Sequence, residues 1–216
     1  MEYYVCDTET NGLHVGKNEL TEISIIRNKD LVQKTWNIKI KHPENCQRQA
    51  LEITGKTIRQ LLTTGKYIEE VVPLVNKFLE EDGAKPEERI ILAHNYSFDQ
   101  RFIEHWWKEC GYVFPAKLWC CTLAMSKKYN KKLGLSKDAK LETMIEKFGI
   151  KHKKFHNATD DTQATYKLFL KLKQAGINEF EFTKASKSYI EAIKEADDLE
   201  KTDLENDACM DELFTF

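Results

Sequence analysis

The sequence predicts an α/β protein: a mixed sheet with antiparallel first strands, parallel later strands and helices on both faces. Two observations lead to this prediction. The first 40 residues hold three strand-prone segments with short connections, which favour antiparallel neighbours. From about residue 68 onward, short apolar segments alternate with longer segments of helical periodicity, which is typical of strands joined by helices. A chain of 216 residues with 41% apolar residues can bury one ordinary core.

The predicted strands are short segments of apolar and β-branched residues that end at turn or polar residues. The first begins at Tyr3, reaches Asp7 and Glu9, and meets the turn dipeptide Asn11-Gly12. The others cover residues 20–26, 31–40, 89–93 and 118–121. The segment 89–93 is apolar after its first residue, so we expect it to be buried.

The predicted helices follow apolar spacing of three and four residues. Residues 51–65 are expected to be irregular or briefly helical, and a longer helix covers residues 68–79 and ends before Gly83. Ser97 is expected to cap a helix that ends near Gly111. Further helices are predicted over residues 122–129, over 141–148, through 164–172 up to Gly176, and within 179–200.

The charge distribution divides the chain into three parts. We expect residues 1–176 to form the main domain, 177–194 a C-terminal helical extension, and 195–216 an acidic, disordered tail. The tail holds nine acidic residues and one lysine, so the overall net charge of −2 conceals a basic body. A basic body suits a polyanionic substrate, although lysines that only serve solubility would give the same composition.

Several protein classes are excluded by composition. No apolar segment approaches membrane-spanning length, and the chain enters its first strand without the segments of a signal peptide, so we expect a cytoplasmic protein without a membrane partner. The six cysteines show no C-x-x-C spacing. They are therefore predicted to be reduced thiols rather than zinc ligands or a disulfide framework.

Two acids at the end of the first strand carry the first chemical signal. Asp7 and Glu9 are two residues apart, so their side chains project from the same face of the strand. Two close carboxylates repel each other unless a proton or a cation neutralises them, and oxygen ligands of this kind suit Mg²⁺ or Mn²⁺. A solvated acidic pair at a strand end would show the same spacing.

Two further motifs place polar groups where strands and helices meet. The sequence H-N-Y-S-F-D at residues 94–99 follows a buried strand and puts Asp99 in the first turn of a helix. The sequence H-N-A-T-D-D at residues 156–161 puts His156 and Asp161 across a loop-to-helix junction. Alone, each motif has an ordinary explanation, because acids favour helix N-termini and histidines are common on surfaces.

In combination, the order D-x-E, H-N-x-x-F-D and H-x-A-x-x-D resembles the DEDDh group of the DnaQ-like 3′→5′ exonucleases, which have a ribonuclease H-like fold. The resemblance covers roughly residues 3–172. The sister group has a tyrosine four residues before the last aspartate; here that residue is Asn157, which favours the histidine group. Asn11, where many relatives have threonine, is a small departure that leaves the acids untouched.

The resemblance implies a set of roles. Asp7, Glu9, Asp99 and Asp161 would hold two divalent cations, Mg²⁺ or Mn²⁺, and His156 would act as the general base, so these five residues are the predicted catalytic residues. The reaction implied is hydrolysis at the 3′ end of single-stranded DNA with release of nucleoside 5′-monophosphates, in proofreading or end trimming. The predicted substrate-binding residues are Thr8, Thr10, Gly12, Leu13, Asn95 and Phe98.

Alternative functions remain open at this point. The same motifs would serve an exoribonuclease that trims RNA 3′ ends, because discrimination of the 2′-hydroxyl depends on pocket geometry. A non-catalytic nucleic-acid-binding module is the alternative from another class. The tail also contains Leu213-Phe214, which resembles the core of a sliding-clamp ligand and suggests a clamp or a DNA polymerase as partner, although an unpacked chain end would look the same.

Overall fold

The computed structural model describes residues 1–153, 155–186 and 189–190. The sheet has the strand order β3-β2-β1-β4-β5-β6. Its strands are β1 Glu2–Thr10, β2 Leu20–Arg27, β3 Gln33–Asn37, β4 Arg89–Ala93, β5 Leu118–Cys121 and β6 Thr183–Ala185. β2 is antiparallel to β1 and to β3, whereas β4 is parallel to β1 and to β5. The predicted mixed sheet, with antiparallel strands first and parallel strands later, is confirmed.

In the described part of the chain the helices flank this sheet. They are α1 Arg48–Thr54, α2 Ile58–Thr63, α3 Ile68–Glu80, α4 Ser97–Glu109, α5 Thr122–Lys132, α6 Leu141–Lys147 and α7 Ala158–Gln174. The segment 51–65, predicted to be irregular or briefly helical, contains the end of α1 and the whole of α2. Gly55 ends α1 with a left-handed φ of 67°, and Thr57 begins α2 with a capping box.

β1 is buried on both faces because its side chains alternate between two cores. Tyr4 and Cys6 pack in a cluster with residues of α3 and α4, whereas Val5 packs in a second cluster with residues of α5, α6 and α7. Helices therefore cover both faces of the sheet, as predicted. The central strand is held from two sides, which gives the acids near its end a rigid base.

Two local predictions need correction. Tyr96, not Ser97, occupies the N-cap position of α4, and Ser97 is the first helical residue. The turn is made at Asn95, whose φ is 70°, so the helix begins one residue earlier than a Ser97 cap requires. β3 is shorter than the predicted 31–40 because Leu31, with a φ of 58°, belongs to the turn after β2.

The segment after α7 differs from the predicted helical extension at its start. Residues Glu179–Phe182 form a 3-10 turn, and Thr183–Ala185 form the edge strand β6. The acidic tail and Leu213-Phe214 lie outside the described residues, and the domain boundaries stay a prediction. Among the described residues no helix combines the length and apolar character needed to cross a membrane. The five cysteines in this part of the chain are all free thiols.

Candidate active site

Three acids converge at the end of β1. Asp7 and Glu9 share the face of β1 that Val5 turns toward α7, and Asp161 lies in the first turn of α7. Asn157 caps that helix by accepting a hydrogen bond from the Asp160 N–H at 3.1 Å. One carboxylate oxygen from each of the three acids lies within 4.8 Å of the other two. The structure thus brings together residues that are more than 150 positions apart in the sequence.

The electrostatics of this acid cluster oppose full ionisation. Burial, followed by the nearby charges of Asp99 and Glu9, raises the pKa of Asp7 well above its ordinary value. Burial raises the pKa of Glu9 to about 8, although the charge of Lys56 acts in the opposite direction. The pKa of Asp161 is also raised by burial. A bound cation would offset the cost of burying these carboxylates and the repulsion of Asp7 and Glu9 by their acidic neighbours.

The donor set fits a hard divalent cation. All three groups are carboxylates, and oxygen ligands are what Mg²⁺ and Mn²⁺ prefer. Among the described residues the buried Oδ1 atom of Asp161 makes no well-aligned hydrogen bond, and its close polar neighbour is Nε2 of His152 at 2.9 Å. This carboxylate therefore keeps lone pairs that a cation could use. The residues present therefore match the expected kind of metal site.

Asp99 lies outside the three-acid group but is tied to the same strand. Its Oδ1 accepts hydrogen bonds from the Thr8 backbone N–H at 3.0 Å and from the Thr8 hydroxyl at 2.8 Å. Burial raises the pKa of Asp99 to about 7, and these hydrogen bonds limit the rise. Thr8, predicted to bind substrate, is buried and uses its hydroxyl on Asp99.

His156 contributes its backbone to the site. Its N–H donates to Oδ2 of Asp161 at 2.9 Å, in a left-handed conformation with a φ of 59°. The imidazole is 47% exposed, and its Nε2 lies 3.4 Å from Oε1 of Glu142. The ring therefore contacts an acid of α6, and the general-base role stays a prediction.

His152, to which the sequence analysis gives no role, is the imidazole that contacts the acids. Its Nε2 lies 2.9 Å from Oδ1 of Asp161, and its side chain is only 6% exposed. Among the described residues neither atom makes a well-aligned hydrogen bond, so the two groups are in close contact without one. Phe155 stacks on the ring with a centroid separation of 4.2 Å. The available signal in the sequence was a second histidine four residues before His156, close enough to lie near the same site.

Glu22 and Lys56 are further residues that the sequence analysis missed. Glu22 is the direct partner of Glu9 across the antiparallel pair β1 and β2. Its Oε2 lies 2.5 Å from Nζ of Lys56. The signal was an acid in the middle of the strand-forming segment 20–26, although only the strand register shows that it faces Glu9.

The turn after β1 forms the rim of the site. The Thr10 hydroxyl donates to the Gly12 carbonyl at 2.6 Å. A Cβ on Gly12 would lie 2.5 Å from the Asn18 side chain, so only glycine fits without a shift of the turn. Leu13 is 62% exposed, and its N–H donates to Gln47 Oε1 at 3.3 Å. An exposed leucine held on such a turn is available to a ligand.

The other two predicted substrate-binding residues lie at the start of α4. Asn95 is exposed in the turn before the helix. Phe98 is half-buried against the core and packs on Phe102 with a ring separation of 5.0 Å. Phe98 therefore serves the packing of α4, and only part of its ring is open to a base.

His94 is a structural residue beside the site. Its Nε2 lies 3.1 Å from the Ala139 carbonyl and its Nδ1 lies 3.1 Å from the Thr122 hydroxyl. Burial lowers the pKa of His94 to about 4, so the neutral ring donates to the carbonyl and accepts from the hydroxyl. These contacts hold the end of β4 to the segment before α6.

The chain matches known proteins over most of its length. A family model of the RNase T type, described as Exonuclease, matches residues 4–169. The "DNA polymerase III PolC-type" of Thermotoga petrophila is 32% identical over 180 residues, and that of Staphylococcus epidermidis is 29% identical over 182 residues. These matches cover 81% and 82% of this chain but only 12% of each relative, so the chain spans about one eighth of their length.

Solved structures share the fold. Exonuclease X in complex with 5′ overhanging duplex DNA has a TM-score of 0.60 and 20% identity, over 83% of this chain and 96% of that chain. The zinc-bound complex of Escherichia coli exonuclease I with single-stranded DNA has a TM-score of 0.70 and 18% identity. This match covers 84% of this chain and 42% of that chain. The predicted ribonuclease H-like fold is confirmed. Because the family model covers 166 consecutive residues that include all four predicted acids, the chain belongs to the RNase T/DnaQ-like family of 3′→5′ exonucleases.

Proposed function

We propose that this chain is a metal-dependent 3′→5′ exonuclease that hydrolyses phosphodiester bonds at the 3′ ends of single-stranded DNA and releases nucleoside 5′-monophosphates. The observation that supports this most strongly is the convergence of Asp7, Glu9 and Asp161 at the end of β1. Family membership supplies the reaction class, which is exonucleolytic hydrolysis. Exonucleases of this family depend on metal ions, which agrees with a cluster of carboxylates. The proposal extends these facts to a substrate and a product.

The acid cluster would hold two divalent cations, Mg²⁺ or Mn²⁺, with Asp7, Glu9 and Asp161 as ligands and Asp99 serving the second cation. Cations of this kind stabilise the charge that develops on the phosphate and lower the pKa of water. The protein's part is to keep four acids in place although burial and mutual repulsion oppose their ionisation. Thr8 contributes by holding Asp99 with two hydrogen bonds.

His156 is proposed as the general base that accepts a proton from the attacking water. Its position on a loop, with a half-exposed ring outside the core, supports this role because such a ring changes rotamer at small cost. Its backbone N–H meanwhile holds Oδ2 of Asp161. The same residue would thus orient a metal-binding carboxylate and take up the proton.

The rim residues are proposed to hold the terminal nucleotide. Leu13 offers an exposed apolar side chain, and Gly12 keeps the turn in this conformation because a Cβ there would meet Asn18. Asn95 and the open part of Phe98 complete the contacts on the α4 side, where base stacking on an aromatic ring is sequence-tolerant. The hydroxyl of Thr10 holds the turn through the Gly12 carbonyl.

The surroundings of His152 suit a phosphate backbone. A cavity of about 450 Å³ next to it is lined by Lys151, Lys153 and Lys167 together with Asp160 and Gln163. Because His152 contacts Asp161, this basic cavity lies beside the acid cluster. Lysines in such a position attract phosphates without reading sequence. Exonuclease X and exonuclease I were solved with DNA, which favours DNA as substrate here.

A direct assay tests the proposal. Purified protein is incubated with 5′-labelled single-stranded DNA and RNA oligomers of matched sequence, with Mg²⁺ or Mn²⁺ and with EDTA. We expect a ladder shortened from the 3′ end and nucleoside 5′-monophosphates for DNA, and neither in EDTA. Asp7→Asn should lose at least about 10³-fold in rate, whereas Asp30→Asn, in a surface ion pair with Arg27, should not. Faster release from RNA would reassign the substrate, and no release from either would leave a binding module.

Association with a polymerase or a sliding clamp through Leu213-Phe214 stays a prediction. The curated relatives carry the name of a polymerase, and the chain matches about one eighth of each. A labelled peptide of residues 205–216 titrated with a bacterial clamp tests the idea, with the Leu213→Ala and Phe214→Ala peptide as control. Equal signals from both peptides would remove the clamp hypothesis.

A further inference from the structure

A buried ion pair adjoins the acid cluster. Glu22 lies opposite Glu9 in the β1 and β2 register, and its side chain is 4% exposed. Nζ of Lys56 lies 2.5 Å from Oε2 of Glu22, and the lysine side chain is 20% exposed. The charge of Lys56 also acts on Glu9. Like charges directly opposite each other on neighbouring strands are destabilising, so this ammonium group sits where the sheet needs a positive charge.

Lys56 lies in the short connection between α1 and α2, where the backbone is fixed on both sides. Gly55 ends α1 in the left-handed conformation, and Thr57 caps α2. The Lys56 N–H donates to the Thr54 hydroxyl at 3.4 Å, and that hydroxyl donates to the Ala50 carbonyl at 2.9 Å. Because the backbone on both sides of Lys56 is already fixed, pairing with Glu22 costs side-chain freedom only, without the further ordering that a free loop would need.

The charges then balance in a specific way. Asp7, Glu9, Asp99 and Asp161 carry four negative charges when ionised, which two divalent cations would neutralise. Glu22 adds a fifth carboxylate on the same side of the strand pair as Glu9. Lys56 neutralises this fifth charge from within the chain. Without Lys56, Glu22 would be a buried, unpaired acid beside a metal-binding acid.

We propose that Lys56 is a positioning residue, the built-in counter-ion of Glu22, which withdraws this fifth carboxylate from cation binding and keeps Glu9 available as a ligand. This inference rests on the proposed function for the part that concerns cations. A protonated lysine has no lone pair for a cation, so its effect on the site passes through Glu22 and Glu9. Its effect is to limit the acids open to cations to the four that the reaction uses.

The first test needs no metal. Thermal unfolding is measured in EDTA for the parent, Lys56→Met, Glu22→Gln and the double variant. Removing one partner of a buried pair leaves an unpaired charge, so Lys56→Met should lower Tm by about 6 °C or more. The double variant should regain most of that loss because it removes both charges. Lys41→Met is the matched control, since Lys41 pairs with Glu69 on the surface with both side chains half exposed, and its Tm should stay near that of the parent.

The second test follows cation binding by calorimetry with Mn²⁺, beside the cleavage rate on single-stranded DNA. The freed carboxylate of Lys56→Met should tighten apparent Mn²⁺ binding by about tenfold while the cleavage rate falls, because charge attracts the ion and a fifth ligand misplaces it. A structural defect alone would weaken both. The double variant should return both quantities toward the parent values.

Several outcomes would overturn the inference. Parent-like Tm and Mn²⁺ affinity in Lys56→Met would show that Glu22 needs no counter-ion. A double variant as impaired as Lys56→Met, or equally unable to fold, would show that Lys56 acts through the backbone junction rather than through its charge. If the parent neither binds Mn²⁺ nor cleaves DNA, the proposed function fails with the cation part of the inference, while the EDTA measurements still decide whether Lys56 and Glu22 stabilise each other.

Discussion

Nε2 of His152 lies 2.9 Å from Oδ1 of Asp161, and the two side chains are only 6% and 9% exposed. This contact joins the loop before α7 to a predicted metal ligand within that helix. Outer partners of metal-binding carboxylates orient them and often affect metal affinity strongly. Because Phe155 stacks on the imidazole, the ring is held against Asp161 rather than left in solvent.

We therefore expect His152→Leu to raise the Mg²⁺ concentration needed for half-maximal cleavage by about tenfold, since loss of an outer partner typically costs that much or more. The measurement is the cleavage rate across a Mg²⁺ titration. His42→Leu is the matched control because the His42 imidazole is exposed and pairs with the exposed Glu44, while its backbone hydrogen bonds remain in the variant. An unchanged Mg²⁺ dependence in His152→Leu would show that the contact does not orient Asp161.

His156→Ala should lose about 10²-fold to 10⁴-fold in cleavage rate, which is the range for loss of a general base. Mn²⁺ affinity should change little, because the backbone N–H that holds Asp161 remains in the variant. Single-turnover cleavage and calorimetry measure the two quantities. A variant that cleaves as fast as the parent would remove His156 from the reaction and leave His152 as the nearer imidazole.

The stability of the metal-free protein should fall as pH rises from 6.5 to 8. Burial raises the pKa of Glu9 to about 8 and that of Asp99 to about 7. A raised folded-state pKa contributes stability that is present at low pH and is lost as pH rises through that pKa. Burial lowers the pKa of His94 to about 4, so its contribution is lost only below pH 6.5 and does not affect this window.

The expected decrease in Tm over this window is about 5 °C in EDTA. Glu9→Gln should flatten the profile because it removes one of the titrating groups. Excess Mn²⁺ should also flatten it, since a cation bound only to the folded state offsets the repulsion. A Tm that stays constant or rises from pH 6.5 to 8 in EDTA would contradict the pKa shifts of the buried acids.

Leu13→Asp should raise KM for single-stranded DNA by about tenfold, because one apolar contact is replaced by a charge that repels phosphate. The Tm should stay close to that of the parent, since the side chain is exposed in the folded protein. Steady-state cleavage with oligomers of matched length gives KM. Val113→Asp, at an exposed position after α4, is the control. Equal KM values for the two variants would place Leu13 outside the substrate path.

Much of the fold follows from local patterns in the sequence. The strand 89–93 was predicted at its observed bounds because a short apolar segment that is followed by a polar turn is typical of a buried strand. The four acids were identified from the order and spacing of the three motifs that contain them, which resemble the motifs of a known family. β6 was missed because Thr183–Ala185 is a short edge strand with little apolar character.

The parts of the site that were missed depend on three-dimensional register. Glu22 becomes relevant only because β2 pairs with β1 so that it faces Glu9. His152 becomes relevant only because the loop before α7 turns its ring toward Asp161, nine residues later. Neither relationship has a periodic signature, since both depend on the path of a loop or on the alignment of two strands.

Thr8 faces Asp99 while its two neighbours face Asp161, so three consecutive residues serve opposite sides of β1. A deletion of one residue between Tyr4 and Asp7 would exchange those sides: the acids would turn toward α4 and the hydroxyl toward α7. Substitutions at Val5 or Cys6 alter packing. A change in length there would instead separate Asp7 and Glu9 from Asp161 and, at the same time, Thr8 from Asp99. We therefore expect natural variation in this strand to take the form of replacements, with insertions and deletions confined to the turn beyond Gly12.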